Sequence, residues 1–334
     1  YADADAPRRA GRPGMGGGIV NIAFFFGMKV LVGLIVTVAS AKLLEPGAFA
    51  YFTQLLLFTA WLNMVATGGS VNGVVREVAA ARGDAEAVSR TILAALQIWG
   101  VIAAALLVLS VLLSNRLSQF LTGGDDATFV IPVLTAISSI AGLSQLCCAV
   151  LTARKRAPLS MRIQTLGLLL SGAGAGWFLM KDAKISAAVA FAAGPALTIL
   201  ISLPAVRHSL RPIRGRAAAN WRTLLHHSAA FFAVASLPPL FLFVARSVYQ
   251  ETLSAEWLAL WLLANRISDL NTQVVGIYNL QFSLPRFSAA QTRSELARVM
   301  GNSVLAIVGL SFPPLLLFLV FGNFLLGQHF PAAY

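Results

Sequence analysis

Three charged side chains lie where apolar sequence surrounds them. Lys29 falls about midway along one long apolar run, and Arg266 and Asp269 fall about midway along another. At roughly 1.5 Å per helical residue, that places all three near the centre of a bilayer whose hydrocarbon is about 30 Å thick. A charge at that depth costs on the order of 2.5–3.5 kcal/mol even on lenient insertion scales, so such residues face a bundle interior or a wet cavity. The chemistry open to them is anion binding, ion pairing or proton carriage. Arg266 and Asp269 stand three apart on one helix face, so one reading is that they simply neutralise each other, although intramembrane charges are functional by default. Lys29 has no acidic neighbour on its own run, and Asp269 is the lone deep carboxylate of the chain. Two arrangements therefore stay open: a Lys29–Asp269 bridge between distant segments, or an unpaired cation that draws an anionic ligand.

Amides extend the pattern. The run that holds Asp269 also carries Asn265, Asn271, Gln273, Tyr278, Asn279 and Gln281, while Gln54, Asn63 and Asn72 mark an earlier run. An unpaired polar group in hydrocarbon costs roughly 2–7 kcal/mol, so a polar central cleft is the economical explanation. Part of this set can instead bond helix to helix, at about 0.6 kcal/mol each. Gly68-Gly69-Ser70 interrupts the earlier run just before Asn72 and Arg76, which permits either bending or close helix approach. The candidate cavity residues are Lys29, Asn72, Arg76, Arg266, Asp269, Asn271, Gln273 and Asn279.

The elements that must position them are transmembrane helices. The chain is 57% hydrophobic and 11% charged, against about 25% charged in a soluble domain, so its surface cannot face water on all sides. Nine apolar stretches are each long enough to cross a bilayer, at about 16–41, 48–74, 90–113, 127–152, 162–180, 184–206, 226–249, 256–283 and 300–326. Eighteen of the 25 Lys and Arg fall on one side of this alternation and five on the other, which predicts a cytoplasmic amino terminus. The fold class is all-α, a polytopic transmembrane helix bundle.

Several functions are disfavoured. The net charge of +12 sits in short loops between apolar helices, without the aromatic interleaving of a base-stacking surface, so nucleic acid is not the partner. Anionic lipid headgroups are, and the Arg154-Lys155-Arg156 cluster is read mainly in that way. Cys147 and Cys148 are adjacent and lack nearby histidines, which suits packing rather than a disulfide or metal. His226 and His227 read as an interfacial pair. No HExxH, GxSxG or Walker-type loop appears, and the short loops leave no room for external chemistry. The expectation is a non-enzyme without cofactor or metal. No cleavable signal pattern opens the chain, and residues 1–14 read as a basic tail ahead of Met15, the expected native start.

Spans seven and eight resemble a weak copy of spans one and two, displaced by about 205–210 residues. Phe24-Phe25-Phe26 matches Phe231-Phe232, and the segment Val75–Ala80 matches Pro285–Ala290. Internal symmetry of this kind is a transporter signature, with the substrate path between halves. The repeat predicts six helices per half: a first lobe at 15–210 and a second at 211–334 that ends after its third helix.

These residues resemble a known family. Gly68-Gly69-Ser70-Val71-Asn72-Gly73-Val74-Val75-Arg76 is similar to a stretch of the Wzx-type O-antigen translocases. So are Asn265-Arg266-Ile267-Ser268-Asp269 and Leu284-Pro285-Arg286-Phe287-Ser288, with Lys29 fitting the same pattern. The nearest likeness is to the lipid III flippases of the enterobacterial common antigen branch. The resemblance implies the multidrug/oligosaccharidyl-lipid/polysaccharide exporter fold, with about twelve helices in two pseudo-symmetric bundles around a central, often cationic cavity. It implies a bacterial inner-membrane protein that moves an undecaprenyl-diphosphate-linked oligosaccharide to the periplasmic leaflet. Implied partners are that lipid-linked oligosaccharide, a coupling cation (proton or sodium), and polysaccharide polymerase and assembly proteins. Lys29 and Arg266 would attract the diphosphate or acidic sugars, and Asp269 would hold Arg266 or carry a proton. A cation-coupled multidrug exporter of the same superfamily and a non-transporting membrane scaffold are the alternatives.

Overall fold

A computed structural model describes residues 15–81, 84–122, 128–154, 156–207, 221–252 and 292–329, with scattered positions between 254 and 287. The described residues form helices and no strand. In chain order these are α1 (Met15–Leu43), α2 (Pro46–Ala66), α3 (Ser70–Ala80), α4 (Ala85–Leu112), α5 (Ser114–Thr122) and α6 (Val130–Ala153). There follow α7 (Ala157–Leu179), α8 (Lys184–Leu197), α9 (Ile199–Arg207), α10 (Trp221–Thr252) and α11 (Arg293–His329). Among the described residues four helical segments are long and apolar enough to cross a membrane: α2 with α3, α4, α6, and α8 with α9. The protein is a multi-pass membrane helix bundle.

Local chemistry sets the ends. Pro46 and Pro158 stand in the first turns of α2 and α7, where a missing N–H removes no helical bond. Asp84 caps α4, its Oδ1 accepting from the N–H of Glu86 at 2.9 Å and of Ala87 at 3.2 Å. The stretch after span three differs from expectation. It is not a plain loop: α5 forms there, burying Ser118 and Leu121 on one side and exposing Arg116, Gln119 and Phe120 on the other. Residues 123–127, which follow α5, lie outside the described residues.

α6 is the hub, touching α2, α3, α4, α7, α8 and α9. Two apolar cores sit at opposite ends of the bundle. One joins α1, α2, α5, the start of α6 and the start of α8, through Val36, Phe49, Phe52, Leu121, Ile131 and Ala187. The other joins α3, α4, the end of α6, α7, α9 and α10, through Val74, Ile92, Leu151, Ile163, Val206 and Leu224. A polar seam separates them at mid-height. There the Trp99 Nε1–H donates to the Ser139 carbonyl at 2.8 Å, and the Ser138 hydroxyl reaches the Thr59 carbonyl at 3.5 Å. Val101, Val108 and Leu112 of α4 stay exposed, as an apolar face does when its solvent is lipid. Cys147 and Cys148 are free and buried.

The α7–α8 crossing shows how small residues and hydroxyls join helices here. Pro195 interrupts α8 and has no N–H to give the Phe191 carbonyl. Ser171 of α7 supplies the donor, its Oγ bonding the Phe191 oxygen at 2.7 Å. Gly194 makes the approach close enough: a Cβ there would overlap Ser171 and the Gly167 carbonyl. Below it the Ser144 hydroxyl meets Thr198 Oγ1 at 2.6 Å and Ser202 Oγ at 3.1 Å, stitching α6 to the α8–α9 break.

Candidate functional site

The break between α2 and α3 is built by Thr67, Gly68 and Gly69. Gly68 and Gly69 take left-handed backbone, with φ of 55° and 69°, which other residues adopt only at a cost. At membrane depth every backbone group released by such a break must be met within the protein. Local bonds meet part of this demand. The Gly68 N–H donates to the Val65 carbonyl at 2.8 Å, and the Ser70 N–H to the Thr67 carbonyl at 2.9 Å. Two hydroxyls add to these: Thr67 Oγ1 donates to the Met64 carbonyl at 2.8 Å and Ser70 Oγ to the Thr67 carbonyl at 2.5 Å.

α10 packs closely against this break. A Cβ on Gly69 would lie 2.8 Å from the Ser228 carbonyl oxygen and 2.9 Å from the Phe232 backbone nitrogen. One on Gly73 would lie 2.8 Å from both Leu224 Cδ1 and Ser228 Oγ. Gly69 and Gly73 thus form a notch that receives α10, in the small-xxx-small pattern that lets two backbones meet. Leu224 and Ser228 are fully buried in it, and α6 passes on the other side, with Gly142 beside Thr67. The Gly68–Gly69 interruption is therefore a packing surface. The signal that could have found it was the Gly69-x-x-x-Gly73 spacing itself; Ser228 carries no comparable mark.

Of the candidate residues, Asn72 and Arg76 are brought together, one turn apart on α3. Asn72 is half-buried, and Arg76 is exposed at the arginine-rich end with Arg154, Arg156, Arg162, Arg207 and Arg222. Asn279 is exposed. The Lys29 backbone lies in α1, while its side chain, and Arg266, Asp269, Asn271 and Gln273 entirely, lie outside the described residues. Asn265, grouped with the cleft amides, turns back on its own helix, its Nδ2 donating to the Trp261 carbonyl at 2.9 Å. Gln54 differs: it is 2% exposed, and its Oε1 has no hydrogen-bond partner among the described residues. The same holds for Asn63 Oδ1 and Ser228 Oγ. Among the described residues no group of His, Cys, Asp and Glu could hold a metal ion.

Compared with known proteins, residues 18–291 match the model of a family described as polysaccharide biosynthesis protein. No curated protein and no solved structure matches the chain.

Proposed function

Because the chain belongs to the polysaccharide biosynthesis protein family, of the multidrug/oligosaccharidyl-lipid/polysaccharide exporter superfamily, we propose that it is a flippase. Its cargo is an undecaprenyl-diphosphate-linked oligosaccharide of the lipid III or O-antigen kind, carried from the cytoplasmic to the periplasmic leaflet of the inner membrane. The observation that carries this reading is the α2–α3 notch. Alternating access needs one half of a transporter to rock against the other. A helix interrupted by two left-handed glycines, seated against the first helix of the second half, is a joint suited to that motion.

The physical task explains the rest. Each unsatisfied glycan hydroxyl costs about 2–7 kcal/mol in hydrocarbon, so the sugars need a polar path while the prenyl tail stays in lipid. Lys29 and Arg266 attract the diphosphate at mid-depth, and Asp269 holds Arg266 or carries a coupled proton. Asn72, Asn271, Gln273 and Asn279 offer amides along the path, and Arg76 stands at its cytoplasmic mouth. The membrane potential assists an anion leaving an inside-negative cell by about 2.3 kcal/mol per charge per 100 mV.

Complementation tests the reading. Expressed in a bacterium lacking its lipid III flippase, the chain with any further carboxy-terminal helices of its gene should restore surface glycan. Lys29→Ala and Arg266→Ala should each abolish the rescue. An inserted protein that restores no glycan but confers drug resistance would replace this cargo with a drug.

A further inference from the structure

At the end of the bundle away from the arginine-rich loops, α2 presents Tyr51, Gln54 and Trp61 on one face, at i, i+3 and i+10. Lys184, at the start of α8, lies over the Tyr51 ring, its Nζ 5.1 Å from the centroid. From the second half of the chain, Tyr249 and Trp261 meet edge to face, with centroids 5.1 Å apart and an interplanar angle of 77°. All four aromatic rings are half-buried and pack against the same core, to which Leu258 and Leu262 of the second half also belong.

We propose that this strip is a sugar-binding subsite on the exit side of the transport path, holding neutral hexose rings of the cargo; it rests on the flippase reading above. Three observations point to a sugar and away from the diphosphate. Aromatic faces carry negative charge density and suit the polarised C–H face of a pyranose ring. Gln54 Oε1, an acceptor, has no hydrogen-bond partner among the described residues, and a sugar hydroxyl donates to it whereas an ionised phosphate oxygen cannot. An amide buried to 2% exposure is costly unless partnered, so its retention among Phe52, Leu55 and Phe58 calls for a ligand-side explanation. Among the described residues Lys184 is the one cation of the strip, and its ammonium is engaged with the Tyr51 ring. Both halves of the chain contribute rings. The strip is therefore closed when the halves pack together and bared when they part.

The test measures binding of two probes to the purified full chain in nanodiscs: a polyprenyl diphosphate bearing an N-acetylhexosamine trisaccharide, and the same lipid without sugar. Wild type should prefer the sugar-bearing lipid by about tenfold, a ratio equivalent to about 1.4 kcal/mol. Gln54→Leu, Trp61→Leu and Trp261→Leu should bring that ratio close to one and leave the bare lipid's affinity unchanged, while Trp61→Phe should keep most of the preference. Gln54→Leu should also melt no lower than wild type, since it removes an unmet acceptor; this separates ligand loss from misfolding. If the three variants keep the wild-type ratio, the subsite is overturned and the flippase reading stands. Wild type that moves the lipid in proteoliposomes without preferring sugar likewise overturns the subsite alone. If wild type neither binds nor moves either lipid, both readings fall.

Discussion

Among the described residues two membrane-length helical segments are interrupted, α2–α3 at Thr67–Gly69 and α8–α9 at Thr198, and the interruptions are made in opposite ways. The second is a proline break closed from outside its own helix. Pro195 orphans the Phe191 carbonyl, Ser171 meets it, and the hydroxyls of Ser144, Thr198 and Ser202 fill the bend. The helices these bonds join, α6, α7 and α8 with α9, all precede α10 in the chain. The first is a glycine break that carries local hydrogen bonds, and whose neighbour is α10, which opens the second lobe of the proposed transporter. One interruption is bonded to its surroundings and the other is only fitted to them. A kink held by directional bonds across helices is a fixed shape, whereas a notch held by contact can slide and reseat. If the protein works by rocking its halves, the glycine break is the moving joint and the proline break is part of the rigid body.

Substitutions can break this contrast. The largest effect belongs to Gly69→Ala. The left-handed φ and the overlap with the Ser228 and Phe232 backbone together should cost about 3 kcal/mol, because neither backbone can rotate away. Transport should be lost, and disulfide trapping between cysteines placed on α3 and α10 should show the halves parted. Ser171→Ala comes next. Leaving the Phe191 carbonyl unmet in the bundle should cost about 2 kcal/mol, read as a lower melting temperature in detergent. Transport per folded molecule should not change, and a transport defect here would sink the rigid-body assignment. The smallest effect is Gly73→Ala. Its neighbours are the end of Leu224 and the Ser228 hydroxyl, which can shift, so about 1 kcal/mol is expected, with slowed rather than abolished transport in a proteoliposome assay.

The legible part of this protein followed from a few strong signals. Long apolar runs placed the helices, because backbone groups in hydrocarbon must be satisfied within the segment. Pro46 and Pro158 fell between spans, and Gly68-Gly69-Ser70 marked the break after α2, whereas the Asp84 cap, which starts α4 five residues before the expected span, came only from the structure. α5 was missed because nine polar-apolar residues between two spans read as loop until Ser118 and Leu121 find a core to enter. Of the proposed cavity residues, Asn72 and Arg76 were placed together on α3 by simple helical spacing. Gln54 stood out by type, yet nothing in its neighbours revealed an unmet acceptor on a strip that also holds a half-buried aromatic pair.

By itself the sequence determined that the chain is a bundle of membrane helices, roughly where most of the described ones run, and where one of them breaks. Only the tertiary structure decided what fills the break: Ser228 and Phe232 of α10 in the Gly69–Gly73 notch, and Ser171 beneath Pro195. The reason is the solvent. In water, an apolar stripe names the face that must be covered, but lipid is as apolar as the core, so a spanning helix is apolar all round and hydropathy does not name its neighbours. Partner choice then rests on shape and on single hydroxyls, and those acquire meaning only when the opposing backbone is in place.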